Sequence, residues 1–205
     1  MKKNYLDLLD ELRAIAQLGL NYSKNPYDLE KYNRLLQLAA NEYSDFTGLP
    51  SDEIKERFKK ELGYITPKIG VNGVLFNEEG LLLLEHRSDD LLWGIPGGWV
   101  DVGEGPETAL KREFMEEASL VIEPLEIIKF VTRLPGEFNQ PHTSMHIYYH
   151  CKYVSGDIIK SHESLELSYK DPTTITEWHK DHKKLAEEAS RYYNNSGKTY
   201  QVFET

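Results

Sequence analysis

The chain has 205 residues, 40 % of them hydrophobic and 28 % charged, with a formal net charge of -10. That length holds one ordinary domain with a small second one, and the composition is that of a soluble globular chain rather than a disordered or membrane-embedded one. An acidic chain gains no counterion release on a nucleic-acid backbone, and it repels free phosphates unless divalent cations bridge the two.

The single Cys151 excludes an internal disulfide and reads as a small apolar residue in a strand. The first residues reach Asp7 and Asp10 before any long apolar run, unlike a signal peptide, and no stretch has the length of a membrane span. A cytoplasmic location is expected.

Tyr5, Leu8, Leu9, Leu12, Ile15 and Ala16 recur at helical spacing and predict a first helix. Asn25 followed by Pro26 predicts a capped start with proline in the first turn, and Leu29, Tyr32, Leu36, Ala39, Ala40 and Tyr43 line one face of the helix that follows. Ser51 is expected to cap a third helix. Asp52 and Glu53 in its first turn and Lys59 and Lys60 in its last complement the macrodipole, and Gly63 is expected to stop it.

After Tyr64 the period changes. Residues 68–76 and 81–86 read as strands joined by a turn at 77–80, and a glycine-rich stretch at 94–98 leads into a helix over Pro106–Ala118. Strands follow at 126–133 and 144–154, then a loop over 155–170, a short strand near 174–178 and a helix over 181–193. The reading divides the chain into a helical domain, 1–63, and a domain of strands interrupted by helices, 64–205, of α/β or α+β sandwich type.

The chemistry is concentrated at one place. Gly98 is followed at fixed spacing by Glu104 and then by Arg112, Glu113, Glu116, Glu117, Ala118, Ser119 and Leu120. On a helix Glu113, Glu116 and Glu117 stand at i, i+3 and i+4, so the three carboxylates share a face, while Leu110, Phe114 and Ala118 form an adjacent apolar stripe. Clustered carboxylates resist full ionisation on their own. A hard divalent cation removes that penalty, and Mg²⁺ accepts oxygen ligands while keeping positions for substrate phosphates. A solvated face with pairs such as Arg112 and Glu116 explains the helix alone. It does not explain the whole pattern: at a usage of roughly 7 % per residue type, six matches at set spacings arise at about one start in ten million.

The segment resembles the Nudix box, with Trp93-Gly94-Ile95-Pro96-Gly97-Gly98 similar to the lead-in common before it. The one departure is Ser119, where the family has a glycine that ends the helix in a left-handed conformation. The resemblance implies a Nudix α/β/α sandwich around a mixed sheet, preceded here by the small N-terminal helical domain. It implies metal ligation by the backbone carbonyl of Gly97 and the side chains of Glu113, Glu116 and Glu117, with Mg²⁺ as cofactor and Mn²⁺ as a substitute. Arg112 is implied to orient the loop through Glu104. The implied reaction is attack of an activated water on phosphorus in a diphosphate linkage.

Family members often take the general base from a loop after the later core strands, where this chain offers Glu163 and Glu166; Glu116 within the box is the fallback. The helical extension resembles that of nucleoside-diphosphate-X hydrolases, among them CDP-choline pyrophosphatases. CDP-choline is thus the first substrate expected, with ADP-ribose and UDP-sugars as alternatives and RNA-end processing as a further one. A regulatory module would be expected to lose box carboxylates, and all four glutamates stand. Phe130, Arg133, Phe138 and His142 are the candidates for holding the nucleotide, and a homodimer through residues before Gly63 is expected. His146 and His150 alternate in a strand without a third ligand nearby, which does not make a zinc site.

Overall fold

The computed structural model describes residues 5–61, 63, 65–101 and 103–194, so that Tyr64, where the domain boundary is expected, lies outside the described residues. Two compact units form, one from Met1–Lys68 with Thr132–Ser144 and the other from Ile69–Val131 with Met145–Thr205. The segment Thr132–Ser144, which a linear division assigns to the second domain, is built into the first unit.

The first unit carries helices α1 (Tyr5–Tyr22), α2 (Pro26–Thr47) and α3 (Ser51–Lys59). Asn25 caps α2 by accepting the Tyr27 N–H at 3.0 Å, and Pro26 fits the first turn, where its missing N–H has no partner to lose. Gly48 ends α2 at φ 69°, its N–H donating to the Ser44 carbonyl at 2.9 Å. Ser51 does not cap α3: Pro50 holds the cap position, Ser51 lies inside the first turn, and no side chain caps that end. The helix also stops before Gly63, because the Lys60 N–H turns back to the Arg57 carbonyl in a tightened last turn. Leu9, Ala16, Leu36, Ala40, Tyr43, Ile54 and Phe58 form the core of this unit.

The second unit holds two sheets, of order β4-β1-β6-β5 and β3-β2-β7. Their strands are β1 (Lys68–Leu75), β2 (Leu82–Arg87), β3 (Trp93–Gly94), β4 (Gly97–Trp99), β5 (Val121–Arg133), β6 (Ser144–Ser155) and β7 (Ser164–Lys170). Helices α4 (Pro106–Ala118) and α5 (His182–Asn194) cover them. The period of two divides each central strand between the helices. Val71, Leu75 and Leu83 pack in one cluster with Leu110, Phe114 and Ala118 of α4, whereas Val74, Leu82 and Leu84 pack in another with Leu185, Ala186 and Ala189 of α5. That is why 81–86 reads as a continuous apolar run: both its faces are buried.

Three expectations are corrected here. The stretch read as a loop over 155–170 contains β7, which pairs antiparallel with β2 from Leu82↔Lys170 to Arg87↔Ser164. The glycine-rich lead-in contains two short strands, β3 against β2 and β4 against β1. The strand expected near 174–178 is instead a 3-10 turn, Pro172–Thr174, whose start Asp171 caps by accepting the Thr173 N–H at 2.9 Å; Trp178 alone bridges to Trp93. Cys151 is buried in β6, and burial pushes its thiol up to about 12.

Candidate active site

Helix α4 turns its apolar stripe to the sheet, and Phe114 fits because Gly73 opposite has no side chain: a Cβ there would run into the ring. This seating carries Glu117 to the sheet side, where it is 5 % exposed, and leaves Glu116 at the surface. Ser119 takes over the end of the helix in the left-handed conformation, φ 56°, its N–H donating to the Met115 carbonyl at 3.1 Å while the Leu120 N–H reaches Phe114 at 3.2 Å. The double bond pattern of a glycine cap is therefore kept by a serine.

The lead-in loop closes over the acids. Gly97 lies at φ 144°, and a Cβ there would strike the Val71 carbonyl; its N–H donates to Glu117 Oε2 at 3.1 Å. A Cβ on Gly98 would sit in the place of the Glu113 carboxylate. Asn72 Nδ2 pins the loop by donating to the Ile95 carbonyl at 3.0 Å. The two glycines thus make a cradle in which backbone and carboxylates share a small space.

Arg112 ties the rest together. Its guanidinium donates to Glu104 at 3.2 and 3.1 Å, to the Trp99 carbonyl at 3.1 Å, to Glu113 at 2.9 Å and to Glu116 at 3.1 Å. One planar donor group thereby fixes the loop to the helix. Glu113 and Glu116 bend toward it, and among the described residues no three His, Cys, Asp or Glu side chains converge as a ready ligand set.

The electrostatics of the buried acids is one-sided. Burial pushes Glu117 up to about 9, with Glu85 and Glu113 adding to the effect and the Gly97 N–H only partly opposing it. Burial also raises Glu113 against the pull of Arg112, and raises Glu85 against its bond from Ser164. Arg112 beside Glu113 and Arg87 near Glu85 only partly offset the burial of these acids, and both oxygens and cradle suit a hard divalent ion.

Glu85 went unnoticed in the sequence. It lies on β2 two residues beyond Leu83 and opposite Leu167, on the α4 side of the sheet, and the signal for it was a carboxylate continuing one face of a strand buried on both sides.

The two candidate bases are separated. The loop before β7 is fastened to the site: the Ser161 N–H donates to the Glu117 carbonyl at 3.1 Å, and the Ser88 N–H to that of Glu163 at 2.8 Å. The Glu163 carboxylate is exposed and close enough to act electrostatically on both Glu85 and Glu113. Glu166 lies on β7 opposite His86, where it accepts from Ser168 Oγ at 2.7 Å and pairs with Lys170 at 2.8 Å.

The four nucleotide-binding candidates divide between the two units. Phe130 packs against the α4 cluster of the second unit. Arg133, Phe138 and His142 belong to the first unit, with Arg133 over the Phe138 ring at 5.6 Å. His142 lines a cavity of about 160 Å³ with Arg13, Arg57 and Lys68, and burial pushes its imidazole down to about 4. A larger cavity of about 740 Å³, lined by Phe76, Leu120, His150 and Tyr153 among others, includes none of the box glutamates.

The pattern described as the NUDIX domain matches residues 66–189, more than half of the chain. The chain belongs to the Nudix family. Residues 3–58 match the pattern described as a UDP-X-like, N-terminal oligomerisation domain. A Bacillus subtilis strain 168 protein named "Putative ADP-ribose pyrophosphatase YjhB" is 31 % identical over 157 residues, 76 % of this chain and 75 % of its own. An ADP-ribose pyrophosphatase of Methanocaldococcus jannaschii is 25 % identical over 149 residues, 69 % of this chain and 84 % of its own. A crystal structure of a UDP-X diphosphatase shares the fold, with TM-score 0.58 and 22 % identity, covering 93 % of this chain and 94 % of that one. The protein is thus a Nudix pyrophosphohydrolase with an N-terminal helical region ahead of the mixed-sheet α/β fold. Among the described residues, no helix is long and apolar enough to cross a membrane.

Proposed function

We propose that this Nudix enzyme hydrolyses the diphosphate linkage of a nucleoside diphosphate joined to a further group, with Mg²⁺ as cofactor and ADP-ribose or a UDP-sugar as substrate. The observation that carries the reading is Glu117: a carboxylate almost wholly buried, raised to about 9, and met by other acids and a backbone N–H at a glycine cradle. The names of the relatives from Bacillus subtilis and Methanocaldococcus jannaschii favour ADP-ribose over CDP-choline, which rested on the overall layout alone. The net charge of -10 works against RNA ends as the main substrate.

Glu113, Glu116, Glu117 and the Gly97 carbonyl would hold the cation, which when bound supplies charge neutralisation at the diphosphate. Arg112 keeps two of these glutamates and the loop in register. Glu163 takes a proton from the attacking water as its oxygen bonds to phosphorus, and the bridging oxygen departs with the electron pair of the broken P–O bond. ADP-ribose yields AMP and ribose 5-phosphate. The experiment is a panel of ADP-ribose, UDP-sugars, CDP-choline and a triphosphate-ended RNA with Mg²⁺, products resolved by chromatography. The reading expects kcat/KM for ADP-ribose or a UDP-sugar at least tenfold above CDP-choline and RNA. The reverse order would overturn the substrate assignment.

The helical unit supports assembly as a homodimer. Leu8, Ile15 and Tyr22 of α1 stand exposed seven residues apart, on a face that the core around Leu9 and Ala16 leaves uncovered. Light scattering at micromolar concentration should give twice the chain mass, and Leu8→Lys with Ile15→Lys should give the monomer. A monomeric wild type would refute it.

A further inference from the structure

We propose that Glu85 is a further ligand of the divalent cation, lying outside the Nudix box and completing the site from the strand side; the inference rests on the metal-dependent reading above. Glu85 is 2 % exposed. Its Oε1 accepts the Ser164 hydroxyl at 2.6 Å, whereas its Oε2 accepts no hydrogen bond among the described residues. The nearest cation is Arg87, 3.8 Å away and beyond hydrogen-bond reach, and that guanidinium is already engaged with Asp89 at 3.0 and 2.8 Å. A buried carboxylate oxygen with no donor is destabilising, and its usual resolution is a proton, a donor or a metal ion.

The face of β2 that carries Glu85 decides among these. Strand β2 alternates, sending Leu82 and Leu84 to the α5 cluster and Leu83 to the α4 cluster, so Glu85 extends the α4 side. That is the side of the sheet to which helix α4 turns the buried Glu117. Two carboxylates facing each other in a buried space repel, and a divalent cation between them turns that repulsion into shared ligation. The Ser164 hydroxyl suits this role, because it occupies one oxygen and leaves the other for the ion. Ser164 directly follows Glu163, so the same bond ties the loop that carries the proposed base to the metal side of the site.

The test is calorimetric titration of metal-stripped protein with Mn²⁺ in the absence of substrate. Glu85→Gln keeps the shape and the Ser164 bond while removing the charge. It should weaken Mn²⁺ binding at least tenfold and shrink the Mn²⁺-induced rise in melting temperature, with far-ultraviolet circular dichroism unchanged. Glu85→Asp keeps the charge but withdraws the carboxylate by one methylene, and should weaken binding to a similar degree. A folded variant of either kind that binds Mn²⁺ as tightly as wild type would overturn the assignment. A wild type that takes up no Mn²⁺ would overturn it together with the metal-dependent reading, whereas unchanged binding in the variants alone would leave that reading standing.

Discussion

In the helical unit the most deeply buried charge is Arg13, 1 % exposed; in the catalytic unit Glu117 and Glu85 are the buried acids. Arg13 is answered mainly by opposite charge and an aromatic face, although its Nε makes no hydrogen bond among the described residues. It donates to the Pro141 carbonyl at 3.1 Å, its Nε lies 3.3 Å from Asp10, and its guanidinium stacks over the Phe58 ring at 4.6 Å. Glu117 has one backbone N–H and two neighbouring acids, with Arg87 opposing them only weakly, and Glu85 has one hydroxyl and the same arginine 3.8 Å away. The first arrangement pairs the charge with an acid of the same helix and holds a fold together. The second is completed only by a cation, and perturbed groups of this kind gather where chemistry is done.

The contrast predicts opposite signatures for two substitutions. Glu117→Gln puts a neutral amide where ionisation of an acid is resisted, so metal-free stability should hold or rise. The same change should lower kcat by roughly 10²-fold or more, because a cation ligand is lost. Arg13→Ala should leave kcat of the folded enzyme near wild type yet lower stability by roughly 2–3 kcal/mol, discounted because Asp10 is partly exposed. Urea melts beside steady-state rates read both. A Glu117→Gln enzyme of normal rate, or an Arg13→Ala protein of normal stability, would dissolve the distinction.

The pH dependence of metal-free stability sharpens it further. Glu117 is raised from 4.5 to about 9, so its contribution is whole below pH 4.5 and is lost as pH climbs toward 9. His142, in the helical unit, is lowered from 6.5 to about 4, so its contribution is whole above pH 6.5 and is lost as pH falls toward 4. Melting temperatures across pH should therefore fall on both arms, Glu117→Gln flattening the alkaline one and His142→Asn the acid one. Saturating Mg²⁺ should restore the alkaline arm alone. Flattening of the wrong arm by either substitution would contradict the assignment of these groups.

The smallest effect compares two helix ends. Gly48 closes α2 and Ser119 closes α4, both left-handed, at φ 69° and 56°. Glycine adopts this conformation freely, whereas serine does so at a cost of about 1 kcal/mol. Ser119→Gly should raise the melting temperature by a few degrees, and Gly48→Ser should lower it by a similar amount. No change in either would show that the caps are set by contacts other than backbone strain.

What was legible beforehand follows the same division between local and distant causes. Helix α4 could be read closely because Pro106 and the apolar stripe are local signals, although Ser119 in place of glycine gave no stop of its own. Asn25 and Pro26 fixed the start of α2 in the same way. Strands β3 and β4 escaped because two or three residues around glycines carry no periodicity of their own; they exist by pairing with β2 and β1. Strand β7 escaped because it buries little besides Ser164 and Leu167, so alternation is faint. The acids of the box were visible as a helix face, but Glu85 comes to them through the fold, and the loop carrying Glu163 is placed by bonds to Ser88 and Glu117 that no spacing reveals.

The central claim is that the under-compensated acids of the catalytic unit are the seat of a required cation. The direct measurement is turnover of ADP-ribose by exhaustively metal-stripped enzyme, in excess EDTA and after return of Mg²⁺, following AMP and ribose 5-phosphate. The account predicts no product above background in chelator and full recovery, with the two products in equal amounts, once free Mg²⁺ is restored. Undiminished turnover in the stripped, chelated enzyme would contradict it.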